Sequence, residues 1–89
     1  MTTTRTVMIT NKRGLHARAS AKFVTLASSQ SAAVEVEKDG SKVLGTSIMG
    51  LMMLGAAMGD SVTISASGDG ATQAVDALCG LVENKFGEE

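Results

Sequence analysis

The chain contains no proline, tryptophan or tyrosine, and its 89 residues include one cysteine, one histidine and two phenylalanines. Without proline, its turns depend on ten glycines and on Asn, Asp and Ser. A lone cysteine, Cys79, closes no internal disulfide and points to a reducing compartment. Lying beside an apolar helical stripe, it reads as a small buried hydrophobe rather than a reactive thiol. One His and one Cys without clustered carboxylates make no familiar zinc or iron site, so no metal and no cofactor is expected. No phosphate-binding glycine loop, dinucleotide fingerprint or nucleophile triad is identifiable, so the chain lacks the apparatus of a self-sufficient enzyme. The longest nearly apolar run, residues 48–58, is too short and too glycine-rich to span a membrane. The N-terminal residues M-T-T-T-R-T-V lack the apolar stretch of a signal peptide. The expectation is a cytoplasmic protein.

Charge is also scarce in total but unevenly placed. The net charge of −1 hides a balance of +4 over residues 1–44 and −5 over residues 45–89. A near-neutral sum argues against general nucleic-acid binding, whereas a local basic cluster suits one phosphate or an acidic partner surface.

What is present is a regular alternation of patterns. Residues 3–10 alternate polar and apolar, with Val7 and Ile9 on one face, and predict a half-buried strand. Residues 17–28 predict a helix with Ala17, Ala21, Val24 and Ala27/Ser28 as its stripe, widened by Phe23 and Leu26. Residues 33–38 alternate again, with Val34 and Val36 against Glu35 and Glu37. Asp39-Gly40 then signals a hairpin into a short third strand over 42–44. Residues 45–55 form a glycine-bracketed segment in which Thr46 or Ser47 serves as cap and Gly55 as terminator of a short helix. Its apolar residues run nearly all the way round, so part of that surface must be exposed. From pattern alone, core filling by adaptable methionines is the simpler account. Residues 61–67 predict a fourth strand with Val62, Ile64 and Ala66 inward. After Gly68-Asp69-Gly70, with Asp69 as cap, residues 71–86 predict the clearest helix, burying Ala71, Ala74/Val75, Leu78, Leu81/Val82 and Phe86. Gly87-Glu88-Glu89 reads as a frayed tail.

The order β-α-β-β-α-β-α over residues 1–89 predicts one α+β domain, a two-layer sandwich. That order also fits ferredoxin-like modules, but RNA-binding versions stack bases on sheet aromatics, and the predicted strands carry none.

The stretch with most chemistry is 11–24, N-K-R-G-L-H-A-R-A-S-A-K-F-V. It holds His16, the four cations Lys12, Arg13, Arg18 and Lys22, and no acid. Imidazole readily gains or loses a proton near neutral pH. At a helix start it meets free N–H groups and the positive dipole end, which attract anions. Arginine adds a planar fork of donors suited to phosphate oxygens. Judged alone, His16 reads as a solvated cap residue; with Gly14, Arg18 and the helix start it describes a site for a phosphohistidine.

These residues resemble a known family. G-L-H-A-R at 14–18 with A-K-F-V at 21–24 resembles the active-site signature of the histidine-containing phosphocarrier proteins, HPr. S-I-M-G-L-M-x-L-G at 47–55 resembles that family's regulatory-serine segment, and G-x-x-V-T-I-S-A-x-G at 59–68 also matches. The resemblance covers essentially the whole chain. It implies an open-faced β-sandwich, a four-stranded antiparallel sheet covered on one face by three helices. It also implies a phosphoryl carrier of the phosphoenolpyruvate-dependent phosphotransferase system, not an enzyme with its own turnover. Enzyme I would donate, enzyme IIA proteins would accept, and an HPr kinase/phosphorylase would modify the regulatory serine. His16 matches the phosphorylated histidine, with phosphate on Nδ1, Arg18 the arginine that steadies it, and Ser47 the regulatory serine. Ile48, Met49, Leu51 and Met52 then become a docking surface, and a monomer is expected because a carrier presents one face to successive partners. A regulatory adaptor in the nitrogen-related branch is the alternative. Two positions depart from the family pattern: Ala19 replaces the usual proline, and Thr46 stands where a lysine often precedes the serine.

Overall fold

Three β-branched, alternating segments and one short hairpin return meet in a single antiparallel sheet. A computed structural model describes residues 1–88. Strands β1 (Thr2–Met8), β2 (Ala33–Lys38), β3 (Ser41–Leu44) and β4 (Ser61–Ser67) lie in the order β1-β4-β2-β3. Helices α1 (Ala17–Ser28), α2 (Ile48–Met53) and α3 (Ala71–Glu83) cover one face, followed by a 3₁₀ turn at Lys85–Gly87. The expected four-stranded open-faced sandwich is what forms.

The period of two decides which face is covered. Val7, Val34, Val36, Val62, Ile64 and Ala66 all point to the helical layer and are buried. On the open face, Thr2, Thr4 and Thr6 pair their hydroxyls with Ser67, Ser65 and Thr63 at 3.2, 3.1 and 3.0 Å. The predicted hairpin is present: Asp39 and Gly40 take φ of 51° and 84°, the left-handed pair that a tight two-residue turn needs. Ile9 lies beyond β1 but extends its pairing, donating to the Asp60 carbonyl and accepting from Gly59 N–H, both at 2.8 Å.

Four expectations are corrected. The buried face of α1 consists of Ala19, Ser20, Phe23 and Ala27, while Ala17 is exposed. Phe23 is the one large side chain of that helix that is fully buried, and its burial leaves Ala21 and Val24 at the margin. Asp69 does not cap α3; Gly70, at φ 76°, occupies the cap position and no side chain bonds there. Helix α3 ends at Glu83, short of the expected residue 86, because Lys85 and Phe86 turn left-handed at φ 56° and 55°. Phe86 is still buried, but it reaches the core by folding back rather than by extending the helical stripe. Finally, Glu88 is hydrogen-bonded rather than frayed; Glu89 of the expected tail lies outside the described residues. Cys79 is fully buried, as its position beside the stripe implied.

Candidate functional site

The loop that carries His16 is held by its own backbone before any side chain acts. Gly14 sits at φ +64°, and a Cβ there would lie 2.4 Å from the Ala56 carbonyl oxygen. That close approach lets Leu15 N–H donate to the same oxygen at 2.9 Å while the Leu15 side chain is buried. Asn11 is buried beneath the loop and donates from Nδ2 to the Gly14 carbonyl at 2.9 Å. Ser20 Oγ donates to the Leu15 carbonyl at 3.2 Å, closing the other side.

His16 occupies the N-cap of α1 with extended backbone, and its carbonyl accepts from Ser20 N–H at 2.9 Å. Its side chain does not cap the helix, so the first-turn N–H groups are not consumed by it. No acid stands in that first turn. Instead, the imidazole Nε2 meets Glu88 Oε2 at 2.6 Å, both side chains being more than four-fifths covered. A carboxylate only accepts, so Nε2 is the protonated nitrogen in this pair. Glu88 Oε1 also accepts from Asn11 Nδ2 at 3.1 Å. The hydrogen bond from His16 holds the Glu88 carboxyl below its ordinary pKa; partial desolvation opposes this, and the Asn11 bond and the charges of His16 and Lys22 add to it.

Arg18, exposed on the first turn of α1, rims a cleft of about 450 Å³ together with Lys12, Arg13, Lys22, Gly87 and Glu88. The cleft collects the four cations of the 11–24 stretch around Glu88, whose carboxylate also contacts the His16 ring. Lys22 is fixed there by donating from Nζ to the Phe86 carbonyl at 2.7 Å.

Ser47 is the N-cap of α2, and its Oγ accepts from Gly50 N–H at 3.0 Å. It stands at the opposite end of α2 from Ala56, the residue that braces Leu15, so Ser47 and His16 are separate sites on helices that pack together. Of the predicted docking residues, Ile48, Met49 and Met52 are 41, 69 and 41% exposed, and Met53 is 79% exposed. Pattern-based core filling by these methionines is therefore corrected: a six-residue helix has one buried face, and Leu51 fills it. Leu51 supports the patch from beneath rather than forming part of its surface.

Glu88 and Asn11 were not legible as site residues. Glu88 is 72 residues from His16 in the chain, and no local pattern announces the contact. Asn11 preceding a glycine turn was readable as a turn residue only. No helix among the described residues is long and apolar enough to cross a membrane.

The fold is an open-faced sandwich with a histidine at the head of α1, paired with Glu88 next to a cleft that gathers four cations. The model of the family described as "PTS HPr component phosphorylation site" matches residues 3–84. The chain is 46% identical over 84 residues to phosphocarrier protein HPr of Cupriavidus necator, covering 94% of each. It is 43% identical to phosphocarrier protein NPr of Shewanella violacea, covering 94% of this chain and 92% of that one. Among solved structures, HPr-C-His from Thermoanaerobacter tengcongensis superposes with a TM-score of 0.93 at 50% identity, covering 98% of both chains. An HPr dimer from the same organism matches with a TM-score of 0.78 at 51% identity, covering 92% and 94%. The chain belongs to the HPr family of phosphocarrier proteins of the phosphotransferase system.

Proposed function

We propose that His16 carries the phosphoryl group on Nδ1, received from enzyme I and passed to enzyme IIA proteins. The observation behind this is the His16–Glu88 contact: with Nε2 protonated and engaged, the neutral ring keeps its lone pair on Nδ1, at a helix start two residues before Arg18, which rims a cleft with Glu88. Arg18 supplies donors to the bound phosphate. The carrier must hold the group loosely, since over-stabilising the charged form would slow onward transfer. The chain acts as one carrier domain in the cytoplasm, as a monomer with no turnover of its own, and docks partners through Ile48, Met49 and Met52 over Leu51. Incubation with phosphoenolpyruvate and enzyme I yields an acid-labile, base-stable phosphoprotein. No label on wild type, or undiminished label on His16→Ala, sinks this reading.

A second reading, a regulatory adaptor of the nitrogen-related branch, draws on the NPr relative and on the placing of Ser47. Phosphate from an HPr kinase/phosphorylase would add about −1.5 to −2 charges at the head of α2, beside the apolar patch. The helix dipole tolerates that charge, whereas an acidic, partly apolar partner is repelled. Ser47→Asp therefore weakens docking with enzyme I in a binding titration, without unfolding the domain. If Ser47→Ala and Ser47→Asp leave every partner affinity unchanged, the adaptor reading fails.

A further inference from the structure

The segment that brings Glu88 to His16 is held in an uncommon conformation. Beyond α3, Lys85, Phe86 and Gly87 stand at φ of 56°, 55° and 74°, two of them without the freedom of glycine. Such backbone persists only where surroundings impose it. Here Phe86 is buried at 1% exposure, its carbonyl accepts from Lys22 Nζ at 2.7 Å, and Glu88 accepts from Asn11 at 3.1 Å and His16 at 2.6 Å. Asn11 is itself fully buried, and its amide is oriented by donations to Gly14 and Glu88 alone, since its Oδ1 has no partner. The carboxylate is thus braced from behind by a fully buried side chain and delivered by a turn anchored in the core.

We propose that Glu88 is a positioning residue for phosphoryl transfer: its carboxylate fixes the Nε2–H tautomer of His16, leaves Nδ1 as the nucleophile, and balances the charge that the ring gains. This rests on the reading of His16 as phosphoacceptor. In the step itself, the Nδ1 lone pair forms the N–P bond as the bond from phosphorus to the donor's leaving atom breaks, and that atom keeps the bonding pair. No proton leaves Nδ1, because the ring proton is already on Nε2. The ring becomes a phosphoimidazolium, and the Nε2–H bond to Glu88 becomes an ion pair. Onward transfer reverses the charge: the N–P electrons return to Nδ1 and Glu88 again faces a neutral ring. A carboxylate fixing a histidine tautomer and stabilising the imidazolium is the arrangement used in acyl-transfer triads, here applied to phosphorus.

The test uses the full chain as wild type, Glu88→Ala and Glu88→Gln. Proton–nitrogen NMR of the neutral His16 ring shows a downfield Nε2–H signal in wild type. Glu88→Ala loses that signal, and its initial rate of labelling from phosphoenolpyruvate and enzyme I falls roughly tenfold. Glu88→Gln, whose amide oxygen still accepts from Nε2–H, keeps the signal and part of the rate. An unchanged ring signal in Glu88→Ala, or a rate equal to or above wild type, overturns the role of Glu88 while labelled wild type leaves the carrier reading standing. Absence of label on wild type overturns the carrier reading and the role of Glu88 with it.

Discussion

At the scale of single residues, the site depends on one glycine more than on any residue that does chemistry. Gly14 meets two demands at once, a left-handed φ of +64° and a backbone approach to Ala56 that leaves no room for a Cβ. Alanine there meets the left-handed penalty of roughly 1–2 kcal/mol. It also presses within 2.4 Å of a carbonyl oxygen that already accepts from Leu15. Neither flexible side chains nor solvent lie in the way, so backbone must move. Gly14→Ala is expected to lower unfolding free energy by more than about 2 kcal/mol in urea titration. A loss under about 0.5 kcal/mol, the size of an ordinary surface change, would show that the loop relaxes freely. Ala19 offers the reverse case. It is fully buried in the first turn of α1, and the helix forms there without the ring constraint of a proline.

At the scale of elements, legibility follows the range of the forces involved. Strands β1, β2 and β4 were readable because one buried face imposes a period of two on consecutive residues, and Asp39-Gly40 was readable because the turn geometry is local. The His16 helix start was readable for the same reason. The orientation of α1 was not: seven apolar residues spread round the helix, and the choice of face fell to Phe23 and what it packs against. The end of α3 was misplaced because Phe86 continues the helical spacing, yet a left-handed turn delivers it to the core by another route. Helix α2 was readable as a capped and glycine-closed segment, but its uniform apolar character could not say which side faces water. Glu88 was out of reach of any local pattern, being bound to the site only through the completed fold.

At the scale of the whole molecule, the +4 and −5 halves of the sequence do not become two charged ends. Strand β1 lies beside β4 and packs under α3, so cations of the first half meet acids of the second. Arg5 pairs with Asp76, His16 with Glu88, and Lys38 with Asp60 at 3.8 Å. The exposed Arg5–Asp76 pair contributes little by itself, whereas the more covered groups set how stability responds to pH. Glu88 has a folded pKa lowered from 4.5 by its bond from His16, and faces Asn11 and Lys22 as well. Its contribution is present above that ordinary value and lost as pH falls through the folded value. Two groups act on the other limb. The Cys79 thiol is raised from 9.0, chiefly by burial, so the folded state resists its ionisation and stability falls as pH climbs above that value. Lys38 is raised from 10.5 by its bond to Asp39, and its contribution fades as pH rises through the folded value. Urea midpoints measured across pH should therefore form a plateau between about 5 and 9 with a decline on both sides. Glu88→Gln lowers the plateau and flattens the acid limb, so that it converges with wild type in acid, while Cys79→Ala lowers the plateau through lost packing but makes the alkaline limb begin later. Variant curves that run parallel to wild type over the whole range would show that neither group carries the pH response.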